Sequence, residues 1–222
     1  MRWLRRIALL VLALLAAVHV VCSAALILLR WYNPPTTAVQ AQRRIESWLA
    51  GEQYTKRSVF LPLNRIPLDL QHAVVAAEDG RFYQHHGIDW LELRKVANQD
   101  LEKRRVGRGA STITQQLVKN LFFGTYRSGV RKLLEFTLAP LAELILSKQR
   151  ILELYLNLIE WGPGVYGAEA AARYHYGIPA GKVGREAAAR LAAVIPAPRT
   201  RRPARMDSYS AEILARMARM GW

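Results

Sequence analysis

A long uncharged apolar run, from Ile7 to Leu29, is the feature that most constrains what this chain can fold into. At a rise of about 1.5 Å per residue, a helix of this length crosses a hydrocarbon core about 30 Å thick. Three arginines, Arg2, Arg5 and Arg6, precede the run. By the positive-inside rule we expect the N-terminus to stay in the cytoplasm and the rest of the chain to be exported.

This run predicts the division of the chain into a cytoplasmic end, a membrane helix, a linker and an exported domain. Residues 1–6 are cytoplasmic, 7–29 form a transmembrane helix, 30–38 are a linker and 39–222 form one exported domain. The alternative is a cleaved signal peptide, because Ser23-Ala24-Ala25 is a stretch of small residues of the kind found at cleavage sites. That stretch lies inside the run, and a signal peptide usually has an apolar core of about 7–15 residues. The length therefore favours an uncleaved anchor.

The charge of the chain predicts an anionic partner. It has 32 Lys and Arg against 17 Asp and Glu, a formal net charge of +15. Nucleic acid, anionic lipid headgroups and phosphate-bearing substrates all fit such a charge. An exported domain would not meet nucleic acid, so we expect none as a partner. The arginine-rich segment 199–219 is predicted either to lie against anionic headgroups or to form a solvated tail.

The spacing of apolar residues predicts a single, mainly α domain after the linker. One strand is predicted, at residues 58–63, and turns are predicted at 107–109 and 162–164. Asp89 is expected to cap one helix, and Ser111 or Thr112 the next. Helices are predicted at residues 39–49, 67–80, 89–103, 112–123, 131–147, 151–159, 168–174 and 185–195.

A candidate proton acceptor, Glu78, ends the apolar face of the second of these helices. A carboxylate held partly out of water against apolar walls is disfavoured in its charged form, and it therefore accepts a proton more readily. An isolated pair such as Glu78-Asp79 is more often a solvated surface pair that caps a loop. The pattern that follows, with Phe82, His85 and Gly87, favours a functional site.

That pattern, E-D-x-x-F-x-x-H-x-G, resembles the first signature of the peptidoglycan glycosyltransferases, glycosyltransferase family 51. Four more stretches resemble the later signatures of that family in order: residues 109–120 (GASTITQQLVKN), 131–135 (RKLLE), 148–157 (KQRILELYLN) and 164–171 (GVYGAEAA). Ala110 departs from the pattern, because the family usually has glycine there, and we interpret it as a slight change in loop geometry. The resemblance implies a lysozyme-like α-helical domain with a larger lobe and a smaller membrane-proximal lobe. It also implies a monofunctional protein without transpeptidase activity.

The resemblance further implies a reaction and the residues that perform it. Lipid II is polymerised into glycan strands at the outer face of the cytoplasmic membrane, and undecaprenyl diphosphate leaves with inversion at the anomeric carbon. Glu78 matches the general base and Glu135 a second catalytic carboxylate. The implied substrate-binding residues are Ser111, Thr112, Gln115, Gln116, Lys119, Asn120, Arg127 and Lys132. The implied structural support of the site consists of Asp79, Phe82, His85 and Gly87.

Cofactors and partners complete these expectations. His85 and His86 have no third ligand at a useful spacing, so no metal site is expected. No cofactor is expected to be required, with a role for Mg²⁺ or Mn²⁺ left open. The expected partners are lipid II, the growing lipid-linked strand and the membrane, while other cell-wall synthesis or division proteins are left open.

Several alternatives remain open from the sequence. Glu135 could serve only as a structural salt-bridge partner of Arg131 or Lys132. A lytic enzyme of the lysozyme class would also use a glutamate in a mainly α fold, but it needs a general acid and no cluster of cations for a diphosphate. A non-catalytic membrane-anchored scaffold is the third candidate. Tyr155 lies in a predicted apolar helix and is interpreted as structural.

Overall fold

The computed structural model describes residues 2–103 and 110–222, with side-chain positions for residues 2–99 and 110–222. This part of the chain is mainly α-helical, as the apolar spacing predicts. The predicted turn at 107–109 lies outside the described residues. The α-helices are α1 (Arg2–Leu28), α2 (Ala38–Leu49), α3 (Leu68–Glu78), α4 (Trp90–Lys103), α5 (Ile113–Phe122), α6 (Gly129–Ile145), α7 (Lys148–Leu158), α8 (Ala168–Tyr176), α9 (Arg185–Ala192) and α10 (Asp207–Arg219). The strands are β1 (Arg57–Ser58), β2 (Glu160–Gly162) and β3 (Val165–Tyr166).

Helix α1 contains the apolar run. Within the described part of the chain it is the one helix that is long and apolar enough to cross a membrane, judged by length and composition alone. Most of its side chains are exposed, yet Cys22, Leu26 and Leu29 at its C-terminal end belong to the hydrophobic core of the domain. Helix α1 packs against α6. One face of the apolar helix is therefore docked on the domain, and the opposite face is left exposed.

The core of the domain is built around α3, α5 and α7. Helix α5 packs against both α6 and α7, while α3 packs against α9. The largest fully buried side chains include Trp161, Tyr155, Tyr166 and Phe82. Hydrogen bonds from Gln116 to Glu78, at 2.8 Å, and from the Ile113 N–H to Asp79, at 2.9 Å, show that the C-terminal end of α3 lies close to the first turns of α5.

Both predicted helix caps are confirmed. The Asp89 carboxylate accepts hydrogen bonds from the backbone N–H groups of Leu91 and Glu92, at 3.1 and 3.0 Å. Thr112 caps α5 in a reciprocal arrangement, in which its hydroxyl accepts from the N–H of Gln115 and the Gln115 side chain accepts from the N–H of Thr112. Such caps satisfy N–H groups that the helix itself leaves unpaired. They fix where α4 and α5 begin.

The small sheet was predicted poorly. Its strand order is β1-β3-β2, with β1 parallel to β3 and β2 antiparallel to it. The predicted strand at 58–63 was wrong in extent, since only Ser58 belongs to β1, and β2 and β3 were not predicted. Strands of two or three residues are too short to show the alternation on which such a prediction depends. The turn at 162–164 is confirmed, because it joins β2 to β3.

The basic C-terminal segment is not a solvated tail, so that alternative was wrong. Helix α10 packs against α3 and α9 and buries Ile213 and Met217. These two residues are four positions apart and therefore lie on one face of the helix. The guanidinium of Arg216 donates to the carbonyl of Ala76, at 3.4 Å. The segment thus forms part of the wall behind α3.

We predict that Gly87→Ala destabilises the fold. Gly87 has a φ of 90°, and a Cβ at this position would lie 2.6 Å from the carbonyl carbon of Ala139 and 2.7 Å from the backbone nitrogen of Pro140. Backbone strain and overlap with backbone atoms should lower the free energy of unfolding by about 2–3 kcal/mol. Thermal unfolding in detergent measures this loss. Gly181→Ala is the control, because nothing lies within 4 Å of its Cβ position. Equal melting temperatures for the two variants would contradict the prediction.

Candidate active site

Glu78 is the last residue of α3, and its carboxylate lies against the side of α5. Gln116 donates a hydrogen bond from Nε2 to Glu78 Oε2, at 2.8 Å. Burial raises the pKa of the Glu78 carboxyl, and the Gln116 hydrogen bond and the charge of Lys119 offset only part of that rise. The surroundings of Glu78 therefore disfavour its charged form, as its position in the sequence predicts.

The orientation of Gln116 depends on a buried tyrosine of α7. Tyr155 is fully buried and donates from its hydroxyl to Oε1 of Gln116, at 2.8 Å. Burial raises the pKa of Tyr155 well above its usual value, so the hydroxyl keeps its proton and remains a donor. Since Oε1 is held by that donor, the Gln116 amide must turn its NH₂ group towards Glu78. The interpretation of Tyr155 as merely structural missed this link.

Asp79 ties the loop of the first signature to the start of α5. Its carboxylate accepts from His85 Nε2, at 3.0 Å, and from the backbone N–H of Ile113, at 2.9 Å. The Thr112 hydroxyl donates to the carbonyl of Gly87, at 2.6 Å. Asp79, His85 and Gly87 therefore lie together at the junction of the two segments.

Phe82 fills the space beneath this junction. Its side chain is fully buried, and the ammonium of Lys148 lies 4.3 Å from the centroid of its ring. A cation over an aromatic ring is attracted by the negative face of the ring. This contact joins the loop that follows Glu78 to the first turn of α7.

Lys119 on α5 is affected by the charges of both candidate catalytic carboxylates. Burial lowers the pKa of its ammonium, while the charges of Glu135 and Glu78 both raise it. Among the described residues, the Lys119 ammonium has no salt-bridge partner, whereas Lys132 pairs with Glu135. Lys119 is therefore a cation that is affected by two carboxylates and forms a salt bridge with neither.

Glu135 is buried on α6 between two cations. It contacts Arg131 at 2.5 Å through Oε1 and Lys132 at 3.1 Å through Oε2. Lys132 also donates to the hydroxyl of Ser111, at 2.9 Å. Both salt bridges that the sequence left open are therefore formed. Because each oxygen holds a different cation, Glu135 fixes the positions of Arg131 and Lys132.

The structure does not bring all the predicted substrate-binding residues to this cleft. Arg127 lies exposed in the loop between α5 and α6. Asn120 donates to the carbonyl of Gln116 in its own helix, at 2.7 Å, and Thr112 and Gln115 are engaged in capping α5. Around Glu78 and Glu135 the structure gathers Ser111, Gln116, Lys119 and Lys132. The substrate contacts of all these residues stay predictions.

Arg201 is a residue of the site that the sequence analysis did not connect to it. Its charge offsets part of the rise in the pKa of Glu78. Its guanidinium donates to the carbonyl of Ala193, at 2.9 Å, and lies 5.4 Å from the centroid of the Tyr209 ring. The arginine-rich C-terminal segment was the one feature of the sequence that could have pointed to Arg201, but nothing in the sequence relates that segment to Glu78.

One cluster among the described residues has the composition of a metal site. Single ligand atoms of Asp79, His85 and Asp89 lie within 4.8 Å of one another. Asp79 already accepts from His85 and from a backbone N–H, and Asp89 caps α4 and lies 3.1 Å from Nε of Arg81. These carboxylates are engaged in holding the loop, so we interpret the cluster as structural.

Comparisons with known proteins identify the class. Residues 43–220 match the family model described as Transglycosylase, and this chain belongs to that family. The biosynthetic peptidoglycan transglycosylase of Stutzerimonas stutzeri (strain A1501) is 47% identical over 154 residues, which are 69% of this chain and 63% of that protein. The protein of the same name from Pseudomonas entomophila is 44% identical over 160 residues, 72% of this chain and 67% of that protein. The one from Ectopseudomonas mendocina is 40% identical over 204 residues, 90% of this chain and 84% of that protein. The chain thus spans about two thirds of the length of the first two relatives.

We predict that Asp79→Asn loosens the junction on which the site is built. The amide loses the charge that strengthens the bonds from His85 and the Ile113 N–H, and the free energy of unfolding should fall by about 2–3 kcal/mol. Thermal unfolding measures this. Asp69→Asn is the matched control, because Asp69 pairs with Arg185 at 3.3 Å in a half-exposed position and should lose about 0.5 kcal/mol or less. A larger loss in the control would refute the importance of Asp79.

Proposed function

We propose that this chain is a peptidoglycan glycosyltransferase that polymerises lipid II into glycan strands at the outer face of the cytoplasmic membrane. The 4-hydroxyl of an acceptor disaccharide attacks the anomeric carbon of the growing strand, and undecaprenyl diphosphate leaves. Because a single displacement occurs, the anomeric centre is inverted. Membership of the family supports this proposal. The observation that carries it is the Glu78 carboxylate, which has a raised pKa, accepts a hydrogen bond from Gln116 at 2.8 Å and is affected by the charge of Lys119.

Glu78 is the general base of this mechanism. An alcohol is a weak nucleophile until a base takes its proton, and a base is most effective when its pKa lies near the working pH. Gln116 holds Oε2 of Glu78, and Oε1 has no hydrogen-bond partner among the described residues. In our proposal Oε1 faces the acceptor hydroxyl.

The cations on α5 and α6 bind the departing diphosphate. A diphosphate needs no strong proton donor, but it does need positive charge held in place before the reaction. Lys119 supplies a cation that has no salt-bridge partner among the described residues, while Arg131 and Lys132 are oriented by Glu135. Glu135 therefore acts through these two cations. Arg127 and Asn120 are proposed as substrate contacts on the resemblance alone.

The membrane is the second partner in this proposal. Helix α1 spans the cytoplasmic membrane once, with the N-terminus in the cytoplasm and the catalytic domain in the periplasm. The mechanism needs no cofactor, and no step in it is assigned to a metal ion. A lysozyme-like lytic enzyme is the rival, and the cations around Glu135 disfavour it, because a sugar leaving group needs a proton rather than positive charge.

We predict that Glu78→Gln abolishes polymerisation while the fold remains. The glutamine still accepts the hydrogen bond from Gln116 but cannot take a proton. The loss should be about a hundredfold to ten-thousandfold, the usual contribution of a general base. Polymerisation of lipid II by the purified protein, resolved by product size, measures it. Glu92→Gln is the control, because Glu92 is exposed on α4 and its nearest cation is Lys95, at 3.6 Å. Undiminished activity of Glu78→Gln would exclude its role as the base and favour a scaffold.

We also predict that Tyr155→Phe shifts the dependence of the rate on pH. Without the hydroxyl, the Gln116 amide is no longer held, and its hydrogen bond to Glu78 weakens. That bond lowers the pKa of Glu78, so its loss raises the pKa further. The base works only when deprotonated, and the acidic limb of the rate profile should therefore move to higher pH.

The control for this measurement is Tyr176→Phe, which removes a hydroxyl that donates to the carbonyl of Ala187 at 3.4 Å. Its acidic limb should coincide with that of the unmodified protein. An unshifted acidic limb in Tyr155→Phe would show that Tyr155 does not act on Glu78 through Gln116.

A further inference from the structure

A polar contact joins α1 to α6 within the apolar run. Nε2 of His19 lies 2.7 Å from Oγ1 of Thr137, and Nδ1 of His19 lies 2.8 Å from the carbonyl oxygen of Leu15. A carbonyl oxygen only accepts, so Nδ1 must carry a proton. In the neutral ring Nε2 is then an acceptor, and the Thr137 hydroxyl donates to it. The alternative acceptors of this hydroxyl, the carbonyls of Leu133 and Leu134, are more distant, at 3.2 Å each.

The depth of this contact follows from the geometry of α1. At about 1.5 Å per residue, His19 lies about 15 Å along the helix from Leu29, inside the apolar run that we propose crosses the hydrocarbon core. No water is available there to replace a lost hydrogen-bond partner. Polar side chains at such a depth are costly, and they are found where they have a partner on another helix.

The exposed side of α6 is apolar, as a helix surface in contact with lipid chains must be. Val130, Leu133 and Leu144 of α6 are 62%, 57% and 83% exposed. In water such an apolar surface would be unfavourable, whereas lipid chains would cover it at no cost. Helix α6 is therefore suited to lie beside α1 inside the outer leaflet.

A second contact holds the C-terminal end of α1. The guanidinium of Arg150 in α7 donates to the carbonyls of Leu29 and Tyr32, at 2.8 and 2.9 Å, and to Oδ1 of Asn33, at 2.8 Å. Carbonyls at the end of a helix have no partner within the helix, and a cation there is also favoured by the helix dipole. The chain that leaves α1 is thus bound to the domain directly, rather than through a loose linker.

We propose that His19 is a positioning residue for polymerisation. Through Thr137 it fixes the depth and orientation of α6 in the bilayer. Lys132 and Glu135 are carried by the same helix, five and two residues before Thr137. The contact therefore sets the height at which the cations meet the diphosphate of a membrane-embedded substrate. This inference rests on the proposed function, because it concerns how the same cleft reaches its lipid substrate.

The test compares two substrates with one reconstituted protein. His19→Leu and Thr137→Val are placed in liposomes and assayed with long-chain lipid II in the same bilayer and with a short-chain, water-soluble analogue. We expect kcat/KM for the embedded substrate to fall about three- to tenfold, the range that the loss of one interhelical hydrogen bond in a membrane produces. The rate with the soluble analogue should change less than about twofold, because a substitution remote from the site commonly has an effect no larger than that.

Three further variants make the result specific. Thr137→Ser keeps the hydroxyl and should retain full activity. The double variant of His19→Leu with Thr137→Val should lose no more than either single variant, because both remove the same bond. Val20→Leu is the control, since Val20 is 68% exposed on the other side of α1. Unchanged activity on the embedded substrate in His19→Leu, or an equal loss on both substrates, overturns the proposal.

A measurement that needs no activity separates this proposal from the proposed function. Spin labels are placed at Leu14→Cys in α1 and Leu144→Cys in α6, with Cys22→Ala to remove the natural cysteine. One narrow distance distribution is expected with His19 present and a broad one with His19→Leu. Distributions of equal width refute the docking contact. A narrow distribution in a protein that makes no glycan polymer refutes the proposed function and leaves the contact in place.

Discussion

The buried carboxylate of Asp79 holds together the two segments on which the site depends. It bonds to His85 in the loop that follows Glu78, and to the first N–H group of α5. A negative charge at the start of a helix is also favoured by the helix dipole. Because Glu78 is the neighbour of Asp79 and Gln116 lies in the first turns of α5, the carboxylate and its hydrogen-bond donor cannot shift independently. The hydrogen bond between Glu78 and Gln116 therefore depends on the contacts by which Asp79 holds the two backbone segments together.

The charged groups of the site are carboxylates and cations that neighbour one another. The negative charges of Glu78 and Glu135 both act on Lys119, and Glu135 also binds Arg131 and Lys132. A buried charge without a partner is strongly unfavourable, so each of these groups depends on its neighbours. Glu135 uses both oxygens on the cations of its own helix, and Lys119 is left without a salt-bridge partner in the part of the chain that the structure describes. An arriving diphosphate would find its strongest new interaction there.

The part of this arrangement that is local in the sequence could be predicted, and the part that depends on tertiary contacts could not. Thr112 was expected as a cap because its hydroxyl acts on backbone groups of the next turn. Tyr155 was assigned to an apolar helix correctly, but no periodicity reveals that its hydroxyl reaches Gln116 on another helix. Arg201 follows α9, which packs against α3, so its charge acts on Glu78 through tertiary contacts that no local pattern reveals. Helix α10, which also packs against α3, was not predicted. Arg127 was expected among the substrate-binding residues from the resemblance alone, and the structure places it in an exposed loop, where its contact with substrate stays a prediction.

The burial of Leu26 and Leu29 has a consequence for how the protein reaches its native state. These side chains come from the apolar helix, yet they complete the same core as α5 and α7. The domain cannot finish packing until that helix has been delivered beside α6. In the proposed topology, with α1 in the membrane, translocation and folding are therefore consecutive steps of one process, and the last apolar layer closes against the membrane helix rather than in open solution.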